Sequence, residues 1–80
     1  MAEITSFVSE GLKVNIDYVG GTNAIYVGEA TPGTADSAAK WRIKKLTYDG
    51  NDNVTDIDWA AKDAVGFTVT WSDRATHTYS

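Results

Sequence analysis

Apolar and polar residues alternate along short stretches of this 80-residue chain, and this two-residue period constrains the fold most. Between residues 12 and 18, apolar side chains occupy every second position, with Lys13, Asn15 and Asp17 between them. Successive side chains of a strand point to opposite faces, so the pattern predicts a strand whose apolar side lines the inside of a sheet. Val and Ile together occur 12 times and Thr 10 times, against two Leu. Branched side chains favour strands over helices, so the sequence predicts an all-β protein.

Further segments carry the same strand signal and are separated by turn signals. The predicted strands are residues 24–28, 40–48, 54–59 and 67–71, with an edge strand at 75–79. Residues 29–39 read as a loop or a short helical turn. In residues 40–48 the apolar positions change faces near Lys44, which indicates either a β-bulge or burial of both faces. Strands with short connections pair antiparallel, so we expect a small antiparallel sandwich or a partly closed barrel of five to seven strands.

A chain of this length forms one domain with a thin core, because a domain of this size buries only about 60% of its unfolded surface. We therefore predict a single β domain over residues 1–80, with 1–9 as an ordered strand or an arm that reaches a neighbouring subunit. There are no cysteines to add disulfides, so self-association is a natural source of extra stability. The interface candidates lie in the arm and the last edge strand: Ile4, Phe7, Ala75, His77 and Tyr79.

The charge and hydrophobicity of the chain disfavour a nucleic acid or a membrane as its partner. The net charge of −4 repels a phosphate backbone, so a nucleic-acid partner is not expected. The one basic cluster, within residues 40–45, is typical of a solvated sheet face. The longest uncharged stretch, residues 18–28, is too short and too polar for a membrane span. The absence of cysteine and of a basic-then-apolar N-terminal segment favours folding in a reducing cytoplasm.

No group of residues in the sequence carries a convincing catalytic or metal-binding pattern. His77 is the only histidine, and Ser72 and Asp73 near it lack the context of a nucleophile elbow. Asp49, Asn51 and Asn53 have the spacing of the first ligands of a calcium loop, but the glycine and the final acid of that loop are missing. Asp56 and Asp58 could be read as an acid–base pair, although a polar outer face explains them. We predict no catalytic residue, no cofactor and no metal site.

Three tryptophans in a chain this short are the remaining unusual feature. Trp41, Trp59 and Trp71 all alternate with other apolar residues, which favours core packing for each of them. An exposed tryptophan would instead offer a platform for a sugar ring or a subunit contact. The choice between these readings separates a structural protein from a ligand-binding module.

Three stretches resemble short proteins encoded in the genomes of tailed bacteriophages, which are virion structural components. They are Tyr-Val-Gly-Glu-Ala-Thr-Pro-Gly-Thr at residues 26–34, Ser-Ala-Ala-Lys-Trp-Arg-Ile-Lys-Lys at 37–45 and Trp-Ser-Asp-Arg-Ala-Thr-His-Thr-Tyr at 71–79. The resemblance covers roughly the last two-thirds of the chain and carries over no catalytic residue. It implies a non-enzymatic protein made in the host cytoplasm and located in the virion. Its expected partners are further copies of itself and other virion proteins.

The alternative function is a carbohydrate- or ligand-binding β module of a receptor-binding apparatus. Such a module would use an exposed tryptophan with an aspartate or asparagine beside it. A hydrolase is disfavoured because no nucleophile or acid–base pair stands out.

Overall fold

A computed structural model describes residues 11–80, which form an all-β structure with four antiparallel strands in one open sheet. The sheet has the spatial order β1-β2-β3-β4, the same as the order along the chain. Its strands are β1 (Lys13–Asp17), β2 (Tyr26–Ala30), β3 (Arg42–Tyr48) and β4 (Val54–Trp59). The all-β prediction is confirmed. The expected five to seven strands are too many for the described part of the chain.

The register of the ladder defines two faces of the sheet. Gly28 of β2 lies opposite Asn15 of β1 and Ile43 of β3, so these residues share a face. We call this the inner face, because it carries the core. The opposite side, which we call the outer face, begins with Ile16 opposite Val27 and ends with Leu46 opposite Ile57.

Within residues 11–80, the core lies against the inner face and consists of five buried residues. They are Ala30, Trp41, Ile43, Ala60 and Trp71. The rings of Trp41 and Trp71 lie 5.8 Å apart at an angle of 36° and fill the space above the middle of the sheet. Gly28 allows this approach, because a side chain there would collide with both rings. The core prediction is confirmed for these two tryptophans, whereas Trp59 is half-buried on the outer face.

The layer over the inner face is irregular chain rather than a second sheet. Residues 67–71 and 75–79 are not strands, contrary to expectation; they make only isolated bridges, from Val69 to Trp41 and from Tyr79 to Ala60. Hydrogen bonds to Asp73 are one physical reason why these two segments do not form strands. The backbone carbonyl of Asp73 accepts hydrogen bonds from the backbone and hydroxyl of Thr76, and its carboxylate accepts one from the hydroxyl of Thr70. Such local bonds compete with a strand ladder.

Polar contacts join this layer to the first strand. Arg74 Nε lies 2.7 Å from Asp17 Oδ2, and its guanidinium stacks on the ring of Trp71. Asn15 donates a hydrogen bond to the carboxylate of Asp36. These contacts place the polar side chains of β1 on the inner face. The expectation that the apolar side of residues 12–18 lines the inside of the sheet is therefore wrong, because Val14 and Ile16 point outwards.

Candidate functional site

The only histidine is held by the backbone and does not form a catalytic group with its neighbours. His77 Nε2 lies 2.7 Å from the carbonyl oxygen of Thr70, to which it donates a hydrogen bond. The carboxylate of Asp73 accepts a hydrogen bond from the hydroxyl of Thr70 instead of orienting the imidazole. A triad needs the acid to orient the histidine and the histidine to face the nucleophile. The arrangement around Ser72 does not have this geometry.

The carboxylate with calcium-like spacing serves the turn between β3 and β4. Asp49 accepts hydrogen bonds from the backbone amides of Asn53 and Asn51, and these bonds lower its pKa below the ordinary value. In residues 11–80, no three histidine, aspartate or glutamate side chains come together as a candidate metal site. Asp56 and Asp58 lie on the inner face of β4, opposite Thr47 and Lys45, and not on the polar outer face that the sequence predicted.

The predicted interface residues have different surroundings. Ile4 and Phe7, with the rest of the proposed arm, lie outside the residues that the structure describes. Ala75 is exposed, whereas Tyr79 packs against the core and donates a hydrogen bond from its hydroxyl to the carbonyl of Arg74. Burial, and secondarily the nearby Tyr26, raises the pKa of Tyr79 to about 12. The ring of Tyr79 therefore supports the fold, which leaves Ala75 and its exposed neighbours as the accessible part of this segment.

The outer face presents apolar side chains to solvent. Val14 is 43% exposed, and Ile16 and Ile57 are each 49% exposed. Half-buried Val27 and Leu46 lie between them on the central strands. These aliphatic groups lie on neighbouring strands around Lys44, which faces the same side opposite Val27 and holds its ammonium over Trp59. Exposed apolar groups clustered in this way are a common mark of an interaction surface.

Charged groups at one end of the outer face are largely paired or stacked. Arg42 lies opposite Glu29 in the ladder, and its Nε is 2.6 Å from Glu29 Oε1. The same guanidinium lies over the rings of Phe67 and Trp59 and donates a hydrogen bond to the carbonyl of Ala64. Residues 64–67 thus cover the Trp59 end of the outer face. The patch formed by Val14, Ile16, Val27, Leu46 and Ile57 lies beyond this cover.

A second surface feature lies at the turn between β1 and β2. Here residues 18–26 and Lys45 form a groove of about 480 Å³, which we call the turn groove. Its lining residues are Tyr18, Val19, Gly21, Thr22, Asn23, Ile25, Tyr26 and Lys45. Among the described residues, the lining carries one cation and no carboxylate, although the chain as a whole has a net charge of −4.

Hydrogen bonds fix the walls of the turn groove. Gly21 donates its amide to the carbonyl of Tyr18, with positive φ at both intervening residues, Val19 (+51°) and Gly20 (+77°). This is the pattern of a type I′ turn. The amide of Val19 binds Asp17 Oδ1; with the bond from Arg74, it lowers the pKa of Asp17.

The far wall is tied to neighbouring elements. Tyr48 donates its hydroxyl to the carbonyl of Ala24 at 2.7 Å, and Asn23 donates to the carboxylate of Asp52 at 3.0 Å. The groove is therefore shaped before any ligand enters it.

The sequence analysis predicted neither the apolar outer face nor the turn groove, although the sequence contains a signal for each. The change of apolar face near Lys44 reflects Leu46 joining an outer face that is itself apolar. The Gly20-Gly21 pair indicated the turn, but a groove beside it depends on Lys45, which is distant in the sequence and reaches it only through the pairing of β2 with β3.

The chain matches no protein-family model, no curated protein and no solved structure. Among residues 11–80, no helix is long and apolar enough to span a membrane.

Proposed function

We propose that this protein is a non-enzymatic structural component of a tailed-bacteriophage virion, acting by self-association and by contacts with other virion proteins. The outer face is the observation that supports the proposal most directly. Its exposed aliphatic side chains are not buried in the monomer, and contact with another protein would remove them from water. The resemblance of residues 26–45 and 71–79 to short phage virion proteins supplies the biological setting. The protein would be made in the host cytoplasm and then assembled into the virion.

We take a second copy of the chain as the occupant of the outer face. Two flat apolar faces pack at about 10 Å separation in a β-sandwich, and two copies related by a two-fold axis would bring equivalent aliphatic residues together. The sandwich predicted from the sequence would then form between copies rather than within one. The half-exposed Ile16 and Ile57, on the two outermost strands, would both become buried.

The size of the face determines how strong this contact can be. Four strands of about five residues cover roughly 300 Å², whereas a stable interface buries about 800 Å² on each partner. Pairing of isolated copies should therefore be weak. Many such contacts in a symmetric particle would act together and need not be strong individually.

Sedimentation velocity over a series of protein concentrations tests the self-association. The wild-type sedimentation coefficient should rise with concentration, and Ile57→Lys should abolish the rise by placing a charge in the interface. Thr47→Lys is the matched control, because Thr47 is exposed on the inner face of the same sheet, opposite Asp56. An Ile57→Lys protein that self-associates as strongly as the wild type would exclude the outer face.

Mass spectrometry of purified particles tests the location. The proposal expects the protein in stoichiometric amounts in virions made by the phage that encodes it. A protein that stays monomeric at every concentration and is missing from particles would contradict the proposal.

The alternative, a ligand-binding module, loses its expected tryptophan platform, because Trp41 and Trp71 are buried. Trp59 is half-buried, and the cations of Arg42 and Lys44 lie over its ring. The turn groove remains as the specific feature in favour of ligand binding.

A further inference from the structure

We infer that the turn groove binds a sugar ring that carries a carboxylate, of the uronic or sialic acid class. Its volume of about 480 Å³ falls within the roughly 300–1,000 Å³ of small-molecule sites. This site is separate from the outer face. Its test is therefore independent of the test of the proposed virion role.

The aromatic groups of the groove suit the flat face of a sugar ring. Tyr18 is 47% exposed, so half of its surface is free to contact a ligand. Tyr26 is fixed from behind by Tyr79, whose ring lies 5.7 Å away. Tyrosines combine a large apolar surface with a polar hydroxyl, which matches the alternating C–H and O–H groups of a sugar.

The polar groups determine the charge of the ligand. The ammonium of Lys45 lies 6.0 Å from the centre of the Tyr26 ring, at the groove, and is the one formal charge in the lining. Thr22 offers a hydroxyl. Asn23 uses one N–H on Asp52 and retains a carbonyl oxygen and a second N–H. A neutral sugar offers the ammonium of Lys45 no negative charge, whereas a carboxylate would form a charge-assisted hydrogen bond with it.

Neighbouring acids modify this picture: Asp17 binds the amide of Val19 and Asp52 binds the side chain of Asn23, although neither carboxylate lines the groove. Asp58 of β4 lies opposite Lys45 in the ladder but is outside the groove lining. Its carboxylate competes with a bound anion for the field of the ammonium. Removing the charge of Asp58 should therefore strengthen binding, an effect opposite in sign to removing that of Lys45.

Backbone strain at the groove rim agrees with a functional use. Val19 is β-branched, is 62% exposed and has a φ of +51°. This backbone conformation is costly for a branched side chain. Strain of this kind concentrates at binding sites.

Titration of the ¹⁵N-labelled protein with glucuronate, followed by amide chemical shifts, tests the inference. Glucose is the neutral probe of the same ring size, and acetate is the carboxylate without a ring. We expect saturable shifts at Val19, Thr22, Asn23 and Lys45 with glucuronate, with a dissociation constant in the millimolar range. Acetate and glucose should bind more weakly. Shifts of equal size with glucose would overturn the charge assignment, and equal shifts with acetate would overturn the sugar assignment.

Substitutions identify the groups responsible. Lys45→Gln should weaken glucuronate binding by roughly tenfold, and Lys45→Arg should retain most of it. Asp58→Asn should tighten binding by about twofold. Lys40→Gln removes an exposed lysine outside the groove and should change nothing. Amide shifts far from the groove report whether each variant keeps its fold. Unchanged affinity in a folded Lys45→Gln protein would exclude the site.

Discussion

Trp71 rests directly on the backbone of Gly28, so closely that a Cβ at position 28 would lie 2.5 Å from Cε3 of the indole ring. Cβ atoms are not found that close to a carbon atom, so one of the two must move if glycine is replaced. Trp41 lies on the other side, with its own Cε3 at 3.2 Å from the same Cβ position. Trp71 is 6% exposed and packs against Trp41, so a shift of its ring would disturb the packed core.

Gly28→Ala should therefore destabilise the protein by about 1–3 kcal/mol, the usual effect of overpacking a filled core. Urea unfolding followed by tryptophan fluorescence measures this change. Gly50→Ala is the matched control, because a Cβ at Gly50 meets nothing within 4 Å. The control should stay within about 0.5 kcal/mol of wild type. Equal stability of the two variants would mean that the rings of Trp71 and Trp41 are not in close contact with the backbone of β2 at Gly28.

Val19→Asn should stabilise the protein by about 1 kcal/mol. Position 19 has positive φ at the first central residue of a type I′ turn, where asparagine followed by glycine is strongly preferred. Thermal unfolding followed by circular dichroism should give a higher midpoint for this variant. Val65→Asn replaces another exposed valine, whose φ is not positive, and should have little effect. A lower midpoint for Val19→Asn would show that the valine side chain contributes more than its backbone strain removes.

Tyr79 should produce a late step in an alkaline titration of tyrosine absorbance, at pH about 12. Burial disfavours the phenolate, so the folded pKa lies above the unfolded value near 10. The resulting stabilisation is complete below pH 10 and is lost as the pH rises towards 12. Tyr79→Phe should remove the late step, whereas Tyr18→Phe should keep it. Persistence of the step in Tyr79→Phe would assign it to another group.

Local patterns were enough to predict the all-β class and the positions of β2, β3 and β4 to within a few residues. The face of β1 was predicted wrongly for a physical reason. Alternation specifies that one side is apolar but not which side meets the core, and here Arg74, 57 residues away, binds Asp17 on the polar side. Strands at 67–71 and 75–79 were predicted from alternation alone. Side-chain hydrogen bonds of Thr70, Asp73 and Thr76 fold that segment into turns instead.

The candidate surfaces were harder to predict than the strands. Each of the five aliphatic residues of the outer face looks like an ordinary core position in the sequence, and only the sheet register reveals that they share an uncovered side. The turn groove needs Lys45 beside residues 18–26, a proximity that arises from long-range pairing. Tyr79 was predicted only as an interface residue, and its packing against the core depends on contacts with residues distant in the sequence, such as Tyr26.

The contact between Asp17 and Arg74 has a consequence for synthesis on the ribosome. The first strand binds Arg74, 57 residues later in the chain, and Trp41 packs on Trp71, so the core stays open until both residues have been synthesised. Long-range closure of this kind slows folding. A nascent sheet that exposes apolar side chains on both faces is prone to aggregate with other chains. A chain in which residues 71–74 have not yet been synthesised should therefore aggregate more readily than the folded protein.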